Sequence, residues 1–209
     1  MSDRTLIATM GFDERHVLPA LRLMPYDRLV VVAGRGTFRS PGFRRLKALE
    51  PDLRAVGVKP FDLGASLASI RETIGLASRD GPVRISASGG PKTLTNAAIL
   101  AAFQEGIEAW YCDPDPVRLP VLRGMRLEEA FSPAERVVAD LVRRPVPYDR
   151  LVTTASARGL ARRTAHAAVR SLAAKGLIDM LTEQGAVAVR PSSRFALFRD
   201  HLRPAAKKG

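Results

Sequence analysis

Ser88-Gly89-Gly90-Pro91-Lys92-Thr93 stands where a short apolar run, Val83-Arg-Ile-Ser-Ala87, empties into an alanine-rich helical pattern. Two glycines let backbone N–H groups approach an anion with no Cβ in the way, a proline suits the first helical turn, and a lysine adds a mobile positive charge. The chemistry this predicts is phosphate or nucleotide binding at a helix start, with the backbone of Gly90 to Thr93 as donor and Lys92 as counter-charge. The hydroxyls of Ser88 and Thr93 add capacity to bond phosphate or ribose. Asn96, one turn beyond Lys92, faces either that pocket or solvent. The plainer alternative is a tight turn that only packs helix on strand, with Lys92 solvated.

A second constellation begins about seventy residues later, at Arg158-Gly-Leu-Ala-Arg162-Arg163-Thr164-Ala-His166-Ala-Ala-Val-Arg170. A glycine turn followed by a helix with an arginine-rich start suits the second helix of a helix-turn-helix, whose amino-terminal residues meet base edges in the major groove. Arg162 and Arg163 could contact guanine bidentately, Thr164 a phosphate or thymine methyl, and Arg170 the backbone, with His166 one turn before it and Arg158 in the turn itself. Ala161 stands where Ser or Thr would ordinarily cap such a helix. Arg190 and Arg194, further along, are candidates for phosphate or minor-groove contact. The alternative is a solvated basic face on a domain that serves protein contact.

Other chemistry is poorly represented. His16, His166 and His201 are scattered and Cys112 is the single cysteine, so no metal cluster or Cys/His nucleophile pair is expected. Asp13-Glu14 and Asp113-Pro-Asp115 are explained by a helix start and a turn. The first strand leads to Gly-Phe-Asp-Glu rather than GxGxxG, and the Walker pattern is absent. No catalytic residue and no cofactor is assigned.

The elements that position these residues follow from periodicity. Short apolar strands at 4–10, 28–33, 54–59, 83–87 and 107–112 alternate with helices near 17–24, 41–50, 65–78 and 92–105, as in parallel strands covered on both faces. Val117 to Leu122 reads as an antiparallel edge strand that would tolerate Pro120. The expected fold class is α/β, a Rossmann-like open parallel sheet followed by a mainly α winged helix-turn-helix domain. In such a sheet, ligands sit outside the carboxyl ends of the strands. That nominates Thr9-Met10-Gly11-Phe12, then Arg35 in Gly34-Arg-Gly-Thr37, then the loop from Ser88 to Thr93. Thr9 could bond phosphate or ribose. Phe12 and Met10 either pack on a base or serve the core or a dimer contact, and Arg35 is a ligand charge or a surface arginine.

The expected domains are 1–123, a linker at 124–131, a second domain at 132–198 and a basic tail at 199–209. Ser132-Pro-Ala-Glu135 is a strong helix start. A helix near 148–157, the helix after Arg158, and apolar alternation on either side of Thr182-Glu-Gln-Gly185 complete a winged arrangement. The 209 residues carry a formal net charge of +12. Basic outnumber acidic residues 18 to 13 over 1–127 and 15 to 8 over 128–209, so the smaller segment holds more of the excess and is the expected contact for a polyanion. One cysteine, no signal-peptide pattern at Met1-Ser-Asp-Arg-Thr and no apolar stretch near 18 residues fit a reducing cytoplasm and no membrane.

Thr5-Leu-Ile-Ala-Thr-Met-Gly-Phe-Asp-Glu14, the Ser88–Thr93 loop and the carboxyl-terminal winged pattern together resemble the archaeal CRISPR-associated transcription regulators built on a CARF (CRISPR-associated Rossmann fold) sensor domain. The resemblance covers nearly the whole chain. It implies a homodimer through the Rossmann domains, a cyclic oligoadenylate held across the two-fold axis, most often cyclic tetra-adenylate, and double-stranded DNA at CRISPR-associated promoters as the partner. Family motif positions fall on Thr9 to Phe12 and on Gly89, Gly90, Lys92 and Thr93. Two alternatives stay open: a ring nuclease that opens the cyclic ligand, and a winged-helix regulator with another nucleotide or none.

Overall fold

A computed structural model describes residues 3–112, 115–122, 127–183 and 185–202. The chain divides into two compact units, Met1–Arg126 and Leu127–Gly209.

The first unit is a six-stranded α/β sheet: β1 (Thr5–Thr9), α1 (Leu18–Leu23), β2 (Arg28–Gly34), α2 (Pro41–Leu49), β3 (Arg54–Val58), α3 (Leu63–Ala77), β4 (Val83–Ser86), α4 (Lys92–Glu105), β5 (Glu108–Cys112) and β6 (Pro116–Arg118). Its strand order is β3-β2-β1-β4-β5-β6. The first five strands are parallel and β6 pairs antiparallel with β5. This open, helix-covered sheet is compatible with a Rossmann-like fold. All five residues of β1 are buried, and their alternation divides the core. Ile7, Val30, Val32 and Ile85 face α3 and α4. Leu6, Ala8, Met10, Leu29 and Val31 face α1 and α2. Burying each of the Leu, Ile, Val and Met side chains among these contributes about 1.5–3 kcal/mol. The chain winds outward from β1 in one direction and from β4 in the other, so the two central strands flank the switch point where an open sheet offers its crevice.

In this unit two strands differ from the sequence reading. The edge strand ends at Arg118, because Pro120 has no N–H to extend the ladder; Leu119 makes a last bond to Ala109 and Val121 turns back onto Leu119. In β3 only Val58 is buried, so that apolar run is an edge strand and not an enclosed one.

The second unit holds α5 (Pro133–Leu141), β7 (Val146–Pro147), α6 (Tyr148–Ala157), α7 (Arg162–Ala174), β8 (Ile178–Glu183), β9 (Ala186–Pro191) and α8 (Phe195–Leu202), with an antiparallel sheet in the order β7-β9-β8. Ser132 and Glu135 form the reciprocal capping box at the start of α5. Gly159, at φ 92°, makes the left-handed turn between α6 and α7. The apolar faces of α5, α6 and α7 meet over Val138, Leu151, Val152, Val169 and Leu172. Residues 127–130 form a 3-10 turn and Phe131 is buried in this core, so the latter half of the expected linker belongs to the second unit. The helix α8 likewise reaches into the expected tail; residues 203–209, with His201 beyond the described side chains, lie outside what is described. No described helix is long and apolar enough to cross a membrane.

Candidate functional site

The loops after β1 and β4 interlock at the switch point, and glycine is what allows it. A Cβ on Gly89 would stand 2.6 Å from the Thr9 carbonyl oxygen and 3.1 Å from Met10 Cα. One on Gly11 would stand 3.2 Å from both N and Cα of Gly90. Gly90 itself lies at φ 97° with Met10 O and Leu94 Cδ2 each 3.1 Å from the missing Cβ. The space freed by these glycines is filled by protein backbone, which favours the packing role among the two readings of the Gly-Gly pair. Gly89→Ala is expected to lower unfolding stability by about 1–3 kcal/mol through overpacking, read from denaturant melts of the full chain.

This interlock redistributes the expected ligand contacts. Met10 is fully buried against α1 and α2, because the side chain continues the alternation of β1; it is a core residue and not a base-contacting one. Thr9 is also buried, with Oγ1 donating to the Ser86 carbonyl at 3.5 Å, so its hydroxyl does not face a ligand. Ser88 Oγ accepts the Cys112 N–H at 2.7 Å and is hydrogen-bonded to Ser86 Oγ at 3.0 Å, tying β4 to the end of β5. Burial pushes the Cys112 thiol up, against the hydrogen bonds of those two serines. Pro91 is the N-cap of α4, in an extended conformation, rather than its first helical residue. It has no N–H to offer, so of the Gly90–Thr93 backbone the donors are Gly90, Lys92 and Thr93. Leu94 and Thr95 donate to the Pro91 carbonyl, leaving Lys92 and Thr93 N–H as the first-turn groups without an intrahelical acceptor.

The side chains presented at this rim are Phe12, 72% exposed, together with Lys92, Asn96 and the half-buried Thr93. Phe12 is held from behind by residues that sequence reasoning missed. Gly42, in the first turn of α2, comes so close that a Cβ there would lie 2.3 Å from the Phe12 carbonyl oxygen. Next to it the buried Glu14 carboxylate takes Nη2 of Arg45 at 2.9 Å, and that hydrogen-bonded guanidinium holds its pKa below the usual range. The sequence signal was a glycine one residue after a helix-starting Ser40-Pro41. Arg35 is exposed, but it lies along β3 beside Gly57 and not at the β1/β4 switch point.

In the second unit, Tyr148, Arg162, Arg163, His166 and Arg170 line one open depression. The spacing of Arg162, His166 and Arg170 places them on one stripe of α7, and Arg163 and Thr164 are exposed beside it. His166 is oriented by Nδ1, 2.6 Å from the Tyr148 hydroxyl. Ala161 is an N-cap with no side-chain bond. Other expected DNA contacts are committed elsewhere. Arg158 binds Asp140 at 2.7 Å, a carboxylate it shares with Arg143, and Arg190 binds Asp179 at 3.2 Å, so each has a carboxylate partner. Arg194 lies at the Gly176 turn that ends α7, its Nη1 3.7 Å from where a Cβ of Gly176 would stand. Among the described residues no group of three or more His, Cys, Asp or Glu could hold a metal ion.

No known family model and no curated protein matches the chain. Similar solved structures include protein VC1899 from Vibrio cholerae, at 12% identity and a TM-score of 0.49 over 93% of this chain and 63% of that one. Can2 from Sulfobacillus thermosulfidooxidans, solved in complex with cyclic tetra-adenylate, is similar at 14% identity and a TM-score of 0.48, covering 93% of this chain and 61% of that one. Enterococcus italicus Csm6, bound to cyclic hexa-2′-fluoro-hexa-dAMP, gives 9% identity and a TM-score of 0.46, covering 84% and 56% respectively. The chain thus spans less than two thirds of the length of each.

Proposed function

We propose that this chain is a ligand-responsive DNA-binding regulator, its first unit a CARF-type sensor of cyclic oligoadenylate and its second a winged helix-turn-helix. The observation that carries the reading is the α7 surface. Arg162, Arg163 and Arg170 line one depression with an oriented His166 and make no ion pair among the described residues. Arg143 and Arg158, by contrast, share the carboxylate of Asp140, and Arg190 pairs with Asp179. Unneutralised guanidinium groups at the start of a helix that follows a glycine turn suit base and phosphate contact, with the β8–β9 hairpin as the wing. The sensor side is supported by the sequence resemblance and by the β1/β4 rim, where Lys92 and free N–H groups at the start of α4 suit a phosphate. Two copies related by a two-fold axis would present two such rims to a symmetric ring. DNA at CRISPR-associated promoters is the corresponding partner.

The test is calorimetric titration of the full chain with cyclic tri-, tetra- and hexa-adenylate, with linear tetra-adenylate as control, followed by promoter-DNA affinity with and without the ring. Binding of one ring per two chains, with a shift in DNA affinity, is the expected result. Absence of heat with every ring removes the sensor reading; DNA affinity indifferent to a bound ring removes the coupling.

Lys92→Ala is expected to weaken ring binding by about 10- to 100-fold, the range for losing one charge-assisted phosphate contact of about 1.5–3 kcal/mol. Retained affinity takes Lys92 out of the site. A ring-opening phosphodiesterase is the second reading, favoured by the exposure of Lys92 beside the partly accessible Thr93 hydroxyl at the same rim. Linear products after prolonged incubation would establish it.

A further inference from the structure

The carboxyl ends of β2 and β3 frame a second recess on the first unit, where Arg35, Gly57, Lys59 and Phe61 stand across from Ala65 and Ser69 of α3. Phe61 is 80% exposed, which leaves a whole aromatic face in water. A single exposed ring is ordinary on a protein surface; here it stands in a recess that also holds two cations. Gly57 interrupts a strand that would gain from a side chain. A Cβ there would lie 3.2 Å from Arg35 Cγ and 3.7 Å from its Nε, so the bare backbone is what lets the arginine lie along the sheet edge.

The charges are unbalanced in one direction. Arg35 and Lys59 make no ion pair among the described residues, whereas Arg28, Arg45, Arg71 and Arg84 of the same unit are each held by a carboxylate. The acid in the recess, Asp62, caps α3, its Oδ1 accepting the Ala65 N–H at 3.0 Å, and the two cations leave one positive charge in excess of it. An open aromatic face beside two unneutralised cations matches a flat base joined to phosphate: the base stacks on the ring and the phosphate takes the guanidinium fork.

We infer that this recess is a purine-nucleotide subsite, with the base on Phe61 and the phosphate on Arg35 and Lys59. It rests on the proposed reading that the carboxyl rim of the sheet binds nucleotides, and it widens that rim. Strands lie about 4.8 Å apart, so β3 stands about 14 Å from β4. The subsite therefore serves a nucleotide other than the one whose phosphate meets Lys92.

The experiment is photolabelling of the full chain with 8-azido-AMP at about millimolar concentration, with the labelled peptide identified by mass spectrometry. Label is expected on the peptide containing Phe61, falling about ten-fold in Phe61→Leu and in Arg35→Ala. Thermal melts of both variants are expected to match the parent, since both side chains are exposed. Label absent from this peptide, or undiminished in Phe61→Leu, overturns the subsite. The probe is a mononucleotide, so its outcome is separate from the ring titration. Ring binding without label here removes the subsite and keeps the sensor; label here without ring binding removes the ring and keeps the subsite.

Discussion

Replacing Arg162 and Arg163 together with alanine is expected to remove sequence-specific DNA binding, a loss of about 30- to 25,000-fold on the native promoter. Each bidentate arginine–guanine contact discriminates by about 1–3 kcal/mol, and the two side chains stand at the exposed start of α7 with no carboxylate partner among the described residues. The outcome separates base reading from charge. If both arginines touch bases, affinity for unrelated DNA falls far less than affinity for the promoter, and the specificity ratio collapses. If both touch phosphates, all sequences weaken alike and the salt slope of log affinity shrinks by about two. Arg190→Ala is the internal comparison: its guanidinium already spends part of its charge on Asp179, 3.2 Å away and half-exposed, so its loss should cost less. Fluorescence anisotropy on promoter and scrambled duplexes, at two salt concentrations, reads all of these. Promoter affinity unchanged in the double variant would sink the groove assignment.

The elements around this surface were legible because each is specified locally. The strands β1, β2 and β4 are read from near-continuous apolar runs, and α5 from Ser132, Pro133 and Glu135, whose capping box involves residues three apart. What escaped is non-local. Met10 looks like any residue of a glycine loop until the pairing of β1 with β2 and β4 fixes which face it continues on. The glycines of the Ser88–Thr93 loop advertise an open cradle in sequence, and only the approach of the β1 loop, some eighty residues earlier, shows the cradle filled by backbone. Arg158 and Arg190 count as free positive charge until folding brings Asp140 and Asp179 beside them. The contact of Tyr148 with His166 joins two helices across a turn, so no spacing rule within one helix could find it. The exposed Phe61 carries no motif; its interest arises from the edge strand that leaves Arg35 and Lys59 beside it.

Glu135→Ala is expected to lower the stability of the second unit by about 2–3 kcal/mol. The carboxylate is nearly buried and serves three donors: the Ser132 N–H at 2.7 Å, Ser171 Oγ at 2.8 Å and Lys175 Nζ at 2.6 Å. Removing it leaves the first two without their acceptor at a part-buried site. Lys175 is 37% exposed, which keeps the figure below that for a fully buried pair. At about 4–8 °C per kcal/mol for a domain of this size, the melting point should fall by about 10–20 °C. The same network predicts a pH dependence. Burial pushes the Glu135 carboxyl up, but the hydrogen bonds from Lys175, the Ser132 backbone and Ser171 outweigh it and hold the group below its usual range. A depressed folded pKa means stability that is present above the unfolded value, about 4.3, and lost as pH falls through the folded one. The parent chain should therefore lose stability on acidification below about pH 4.5, and Glu135→Ala should lose less over that interval, in melts followed by near-ultraviolet circular dichroism. Lys175 also donates to the Ala130 carbonyl at 2.7 Å and sits 5.0 Å above the Phe131 ring, so the network fastens the segment that enters this unit to the carboxyl end of α7. Since α7 carries the arginines at its other end, loosening that joint should weaken DNA binding even at temperatures where the variant remains folded, whereas equal DNA affinity in folded Glu135→Ala would confine the network to stability alone.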